Sequence, residues 1–188
     1  MTTCCQLNHP TRRHFFAAAG TAVLAATLAP RNAQANVIDE PASKADEVFM
    51  RQAIEIARKA GKSFAAVIVK DGKVIATGYN PLKVDGVIHD PTAHGEMVAI
   101  HQCIRNHGAD ALHGATLYTT GESCPMCMTA IVWCGMGRVV YGVPLERLAG
   151  IMDQVMVPSA EIAKQAPFLK IGVTGSVLAE EAWTLFKT

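Results

Sequence analysis

Two short clusters, His94-Gly95-Glu96 and Cys124-Pro125-Met126-Cys127, constrain this chain more than any other feature. Each stands at the expected start of a helix, and twenty-seven residues separate Glu96 from Cys124. Cysteines three apart lie on one side of a helical turn and can grip one ion together. Pro125 at the first helical position sets the backbone direction without forfeiting a needed hydrogen bond. The positive end of the helix dipole favours the thiolates that a metal requires. One imidazole and two thiolates suit tetrahedral zinc and leave a fourth position for water. The fold must therefore bring two helix starts together. Glu96, two residues from a ligand, can reach that water without ligating and carry its proton, which suits hydrolytic removal of an amino group.

Other chemistry fits parts of the pattern. A Cys-x-x-Cys can be a redox disulfide. A purely structural zinc site would take a fourth protein ligand, and His89, His101, His107 and His113 are available in number. The upstream His-x-Glu and the absence of a thioredoxin-like organisation count against the first, while spacing alone cannot exclude the second.

The apolar periodicity predicts an α/β domain. Lys44 to Ala60 carries Val48, Phe49, Ile54, Ile56 and Ala57 between charges, an amphipathic helix ended by Gly61. Phe64–Val69 and Val74–Tyr79 are strands joined at the Asp71-Gly72 turn, and Asn80 to Val87 is a loop. Asp90-Pro91-Thr92 caps a helix from about Ala93 to Asn106. Further along come a strand at Ala115–Thr119, a helix at Pro125–Trp133 and a strand at Val139–Val143. A short helix near Leu145–Ala149, a loop, a strand near Leu169–Val173 and a helix over Ala179–Phe186 complete the domain, which spans residues 44–188. Residues 36–43 are read as a loose lead-in, with Pro41 opposing helix. The order helix, hairpin, helix, strand, helix, strand calls for helices packed on a central mixed sheet of about five strands.

The two clusters resemble the cytidine and deoxycytidylate deaminase superfamily, whose pattern is His-x-Glu followed by Pro-Cys-x-x-Cys. Phe64-Ala65-Ala66-Val67-Ile68-Val69-Lys70-Asp71-Gly72, Gly78-Tyr79-Asn80, Asp90-Pro91-Thr92-Ala93-His94 and Leu117-Tyr118-Thr119 are similar to its purine-type branch, which holds bacterial guanine deaminases and tRNA adenosine deaminases. Similarity runs from Lys44 to Val143 and thins beyond. It implies a three-layer cytidine deaminase-like fold and one zinc ion (Zn2+) per chain on His94, Cys124 and Cys127, with Glu96 as the catalytic proton carrier. The implied reaction is hydrolytic deamination of a free nucleobase or nucleoside, a guanine-like base leading and cytosine or a nucleoside next. Asn80 stands where the family binds the base. Phe64 is either a pocket wall or core, and Trp133 and Asp153 match weaker guanine deaminase positions or serve packing and surface. His89 and Asp90 border the site or merely cap, while Met126 and Met128 fill core. The resemblance also implies a homodimer. The chain departs from the pattern at Ser123, where the family has Pro before the first Cys; Pro125 can set the helix start alone.

Composition separates the rival functions. Thr11-Arg12-Arg13-His14-Phe15-Phe16 precedes the apolar stretch Ala17 to Ala29, and Ala33-Gln34-Ala35 supplies small residues for a signal peptidase. The stretch is too short to span a bilayer, which takes about 20 residues. The arrangement resembles a twin-arginine signal over residues 1–35, hence a periplasmic protein exported folded, with no stable membrane association once the signal is removed. Beyond it, fourteen Lys or Arg face sixteen Asp or Glu, a formal charge of −2. That is not the footprint of a protein that tracks a phosphate backbone, so no nucleic-acid partner is expected. The rivals are a tRNA or nucleic-acid adenosine deaminase and a non-catalytic zinc-containing binding protein. Cys103 and Cys134 can pair or stay as buried thiols. Thiolates exported unfolded would risk pairing before meeting metal, so folding around zinc first explains the route. Metal quantified on the cytoplasmic precursor should therefore already be bound; a metal-free precursor contradicts this order.

Overall fold

The computed structural model describes residues 37–81, 83–84, 87–88 and 90–187. The signal and cleavage site read over residues 1–35, and His89, lie outside them. The elements are β1 (Val37–Asp39), α1 (Lys44–Ala60), β2 (Ala65–Lys70), β3 (Lys73–Tyr79), β4 (Lys83–Val84), β5 (Val87–Ile88) and α2 (Gly95–His107). They continue with β6 (Thr116–Gly121), α3 (Pro125–Trp133), β7 (Arg138–Val143), α4 (Leu145–Ala149), α5 (Ser159–Lys164), β8 (Ile171–Thr174) and α6 (Ala179–Trp183). Short 3-10 turns follow α2 at Ala109–Leu112 and α6 at Thr184–Phe186.

Six strands form one mixed sheet in the order β1-β8-β7-β6-β2-β3. The β2–β3 and β2–β6 pairs are antiparallel, and β6–β7, β7–β8 and β8–β1 are parallel. Asp71 and Gly72 turn the hairpin with φ of 49° and 71°, the left-handed pair that a two-residue turn of this hand requires. Strand alternation divides the core into two layers. Ala66, Ile68, Leu117 and Val139 face Ile100, Cys103, Met128 and Ile131 on one side, with α2, α3 and α5. Val67, Tyr118 and Val140 face Met50, Ile54, Ala182 and Phe186 on the other, with α1 and α6. This is the expected three-layer α/β fold.

Three stretches differ from the sequence expectation. Part of the loose lead-in is the edge strand β1, paired with β8 in the register Val37 to Ile171. The loop after Asn80 contains the small β4–β5 hairpin. The loop before β8 contains α5. Among the described residues there is no disulfide, Cys103 and Cys134 included, and no helix is long and apolar enough to cross a membrane.

Charge ties the sheet's far edge to α1. Ser43 and Asp46 form a capping box at the start of α1. The Asp46 carboxylate is buried and accepts from Arg138 Nη1 at 2.8 Å, Arg138 Nη2 at 3.1 Å and the Tyr118 hydroxyl at 2.9 Å. Burial alone would push this carboxyl up, but hydrogen bonds from Ser43, Arg138 and Tyr118 together hold it below its ordinary range. Arg138 also pairs with Glu40 and donates to Thr174 on β8.

The placement of α2 matters most for the site. A Cβ on Gly78 of β3 would sit 2.3 Å from the Gly95 carbonyl oxygen and 2.5 Å from the Ala99 nitrogen. A Cβ on Gly95 would meet the Cα atoms of Ala65 and Tyr79 at 3.2 and 3.3 Å. Backbone thus rests directly on backbone, and neither wall can yield as a flexible side chain would. Gly78→Ala should lower the unfolding free energy by roughly 3 kcal/mol through overpacking. Denaturant unfolding checks this; an unchanged midpoint contradicts the close contact.

Candidate active site

His94 is the N-cap of α2 and Cys124 the N-cap of α3, so both ligand clusters stand at helix starts as the sequence implied. The predicted cap is displaced, however. Asp90 folds back instead, its Oδ1 accepting from Thr92 N at 2.8 Å and Thr92 Oγ1 at 2.6 Å in a local turn, and α2 begins at Gly95 rather than Ala93. His94 makes no side-chain cap, which leaves its imidazole to face α3. Asn80, reaching over from the end of β3, accepts the Gly95 N–H at 2.7 Å through Oδ1. That bond satisfies one of the helix's orphan donors from outside the helix.

Nδ1 of His94 lies 3.5 Å from Sγ of Cys124 and 3.5 Å from Sγ of Cys127. The three ligand atoms all lie within 4.8 Å of one another. Zinc–sulfur bonds of about 2.3 Å and zinc–nitrogen bonds of about 2.05 Å, at a tetrahedral angle, put nitrogen and sulfur about 3.5 Å apart. The donor set and its spacing therefore fit one zinc ion. Electrostatics point the same way. A hydrogen bond from the Cys127 thiol holds Cys124 down to about 4, while the same bond and burial push Cys127 far up. A bound divalent cation would let both thiols ionise together. The hydrogen bond with Cys124 raises the His94 imidazole above its ordinary value, against burial.

Glu96 is 4% exposed, and burial raises its carboxyl above the ordinary range. It lies beside the Cys127 thiol and Ser123. The Ser123 hydroxyl is buried there without a well-formed hydrogen bond of its own. The departure from Pro at this position leaves α3 intact, because Pro125 occupies its first turn and Met128 N donates to Cys124 O at 2.9 Å.

These groups open into a pocket of about 350 Å³ lined by Phe64, Asn80, His94, Glu96, Cys124 and Asp153, among others. That is the scale of a small-molecule site. Phe64 serves both readings at once, since it walls the pocket and packs edge-on against Phe186 with centroids 5.0 Å apart. Met126 lines the pocket instead of filling core, whereas Met128 is fully buried. Trp133 is not brought to the site. It sits at the last residue of α3, 63% exposed, and stacks on Phe168. It lies six positions beyond Cys127, about 9 Å further along the helix axis. Sequence reasoning missed Pro91, Glu122, Met152, Gln154 and Val155 on the pocket wall. Glu122, directly before Ser123-Cys124, and Pro91, inside the Asp90–His94 motif, stood where a signal could have been sought.

Residues 43–143 match the cytidine and deoxycytidylate deaminase zinc-binding region. The chain is 34% identical over 152 residues to a guanine deaminase of Bacillus subtilis (strain 168), across 74% of this chain and 94% of that protein. It is 38% identical over 101 residues to a tRNA-specific adenosine deaminase of the same organism, across 52% of this chain and 61% of that one. Among solved structures it resembles a variant of the protein NE0047 in complex with 8-azaguanine, with a TM-score of 0.63 and 25% identity, covering 76% of this chain and 82% of that one. The matched motif, the length of the match and the ligand geometry agree: this chain belongs to the cytidine and deoxycytidylate deaminase family.

Proposed function

We propose that this protein removes the amino group of a free guanine-like base by hydrolysis, with cytosine or a nucleoside as the next class. The observation that carries the reading is Glu96, a buried carboxyl at the inner end of a small pocket, beside three residues fitted to hold zinc. His94 Nδ1, Cys124 Sγ and Cys127 Sγ would hold the metal. When bound, zinc supplies a Lewis acid that makes water nucleophilic near neutral pH. Glu96 would take a proton from the attacking water and deliver it to a ring nitrogen, and would give a later proton to the departing ammonia. A carboxyl raised by burial suits both directions of that transfer. Asn80, fixed through Oδ1 to the start of α2, retains its Nδ2 donors for the base, and Phe64 offers a ring edge or face to it. Asp153, also on the pocket lining, can accept from an exocyclic amino group.

The guanine deaminase relative matches along nearly its full length, which favours a free base. The tRNA-specific relative matches a shorter share and keeps an RNA substrate as the second reading. The acidic balance after residue 35 weighs against it. The twin-arginine reading of residues 1–35 adds a periplasmic location, and removal of the signal after Ala35 would leave β1 whole. The homodimer rests on the family resemblance.

Glu96→Gln tests the mechanism. The amide keeps size and hydrogen bonding but carries no proton between water and base. It should cut ammonia release from guanine by at least about a thousandfold, in the upper range of general acid–base effects, while one zinc per chain is retained. Turnover retained by a clean preparation of the variant contradicts the role given to Glu96.

A further inference from the structure

Glu122 is a second buried carboxylate at the site, 6% exposed, and the proton transfers above make no use of it. It ends the run of β6, its own N–H donating to Val143 O at 2.8 Å, and lies two residues before Cys124. Its two oxygens face two different parts of the chain. Oε2 accepts from Leu145 N at 2.9 Å, the first residue of α4. Oε1 accepts from Ser159 N at 2.9 Å and Ser159 Oγ at 2.8 Å, the first residue of α5. Between those two points runs the segment whose middle, Met152 to Val155, forms one wall of the pocket. Leu145 and Leu148 of α4 anchor its start in the core, but beyond α4 the segment has little core of its own. Ile151, Val155 and Met156 are exposed, and Met152 alone of these packs against the α1 side of the sheet.

We infer that Glu122 is a positioning residue: its carboxylate clamps both ends of the 145–159 segment and so fixes the wall that receives the base. The inference rests on the base-deaminase reading and extends it to substrate affinity. The chemistry is specific to a carboxylate. Both oxygens accept, and both meet buried backbone N–H donors that a short helix cannot satisfy internally. An amide serves one end only, since its NH2 would face a donor at the other. Charge-assisted bonds of this kind are stronger than neutral ones, and losing one leaves a buried donor without a partner. Because Glu122 shares its strand end with Ser123 and Cys124, the wall is registered to the metal ligands through three consecutive residues.

Glu122→Gln and Ser159→Ala, each in the zinc-loaded full chain, test this with guanine as the probe. Glu122→Gln should raise KM roughly tenfold, as expected for one lost charge-assisted bond, with kcat within about twofold and zinc still one per chain. Amide hydrogen exchange over 150–158 should rise, while β6 and α3 keep their protection. Ser159→Ala removes a single bond and should move KM and exchange the same way by less. Unchanged KM and exchange in both variants overturns the inference. So does loss of zinc together with kcat in Glu122→Gln, which would make Glu122 a support for Cys124 instead. If Glu122→Gln fails to fold, Ser159→Ala decides by the same readouts. Failure of wild type to release ammonia from guanine would count against the deaminase reading, and the exchange comparison would still decide the clamp.

Discussion

Everything at this site depends on how closely α2 lies on the β2–β3 hairpin. Gly78 and Gly95 remove the two side chains that would hold helix and sheet apart, and the helix start settles onto backbone. Asn80, one residue past the end of β3, then locks the Gly95 N–H. That contact fixes the height and rotation of the first turn of α2. His94 is thereby turned towards the two cysteines of α3, and Glu96 is driven into the protein. The glycine between His94 and Glu96 is thus a packing requirement as much as a spacer.

The groups brought together shift one another's proton affinities. The thiol–thiol hydrogen bond holds Cys124 down and pushes Cys127 up, the bond with Cys124 raises the His94 imidazole, and burial raises the Glu96 carboxyl. A divalent cation resolves the first two, because it lets both thiols ionise and needs the imidazole neutral. The carboxyl is left over. Burial raises this carboxyl's affinity for a proton, and beside a bound metal it would supply acid–base chemistry that a structural zinc knot lacks. Glu122, on the same strand end as Cys124, bonds both ends of the segment that carries Met152 to Val155 of the pocket lining.

The legible parts of the chain were those set by local chemistry. The Asp71-Gly72 turn, the amphipathic face of α1 and the Pro125 start of α3 each depend on residues within a few positions of one another. The ligand clusters were legible for the same reason, since metal geometry restricts residue types and spacing. What escaped depended on distant partners. Strand β1 exists because β8, far along the chain, offers it an edge. Helix α5 is only six residues long, follows a proline and has its first N–H satisfied by Glu122, thirty-seven positions earlier. The cap of α2 was misplaced because Asp90 prefers its own turn, while Asn80 supplies the missing acceptor from another strand. Trp133 was drawn towards the site by resemblance alone, and the helix carries it away.

Zinc-dependent deamination of a small ring is the chemistry that fits this pocket. It is tested most directly by ammonia release from guanine, cytosine, cytidine and an RNA stem-loop carrying adenosine, with zinc quantified in the same preparation. The account predicts release from guanine first, at one zinc per chain, lost on chelation and restored by zinc. Deamination of the RNA with none of any free base or nucleoside, or ammonia release undiminished in zinc-free protein, would contradict it.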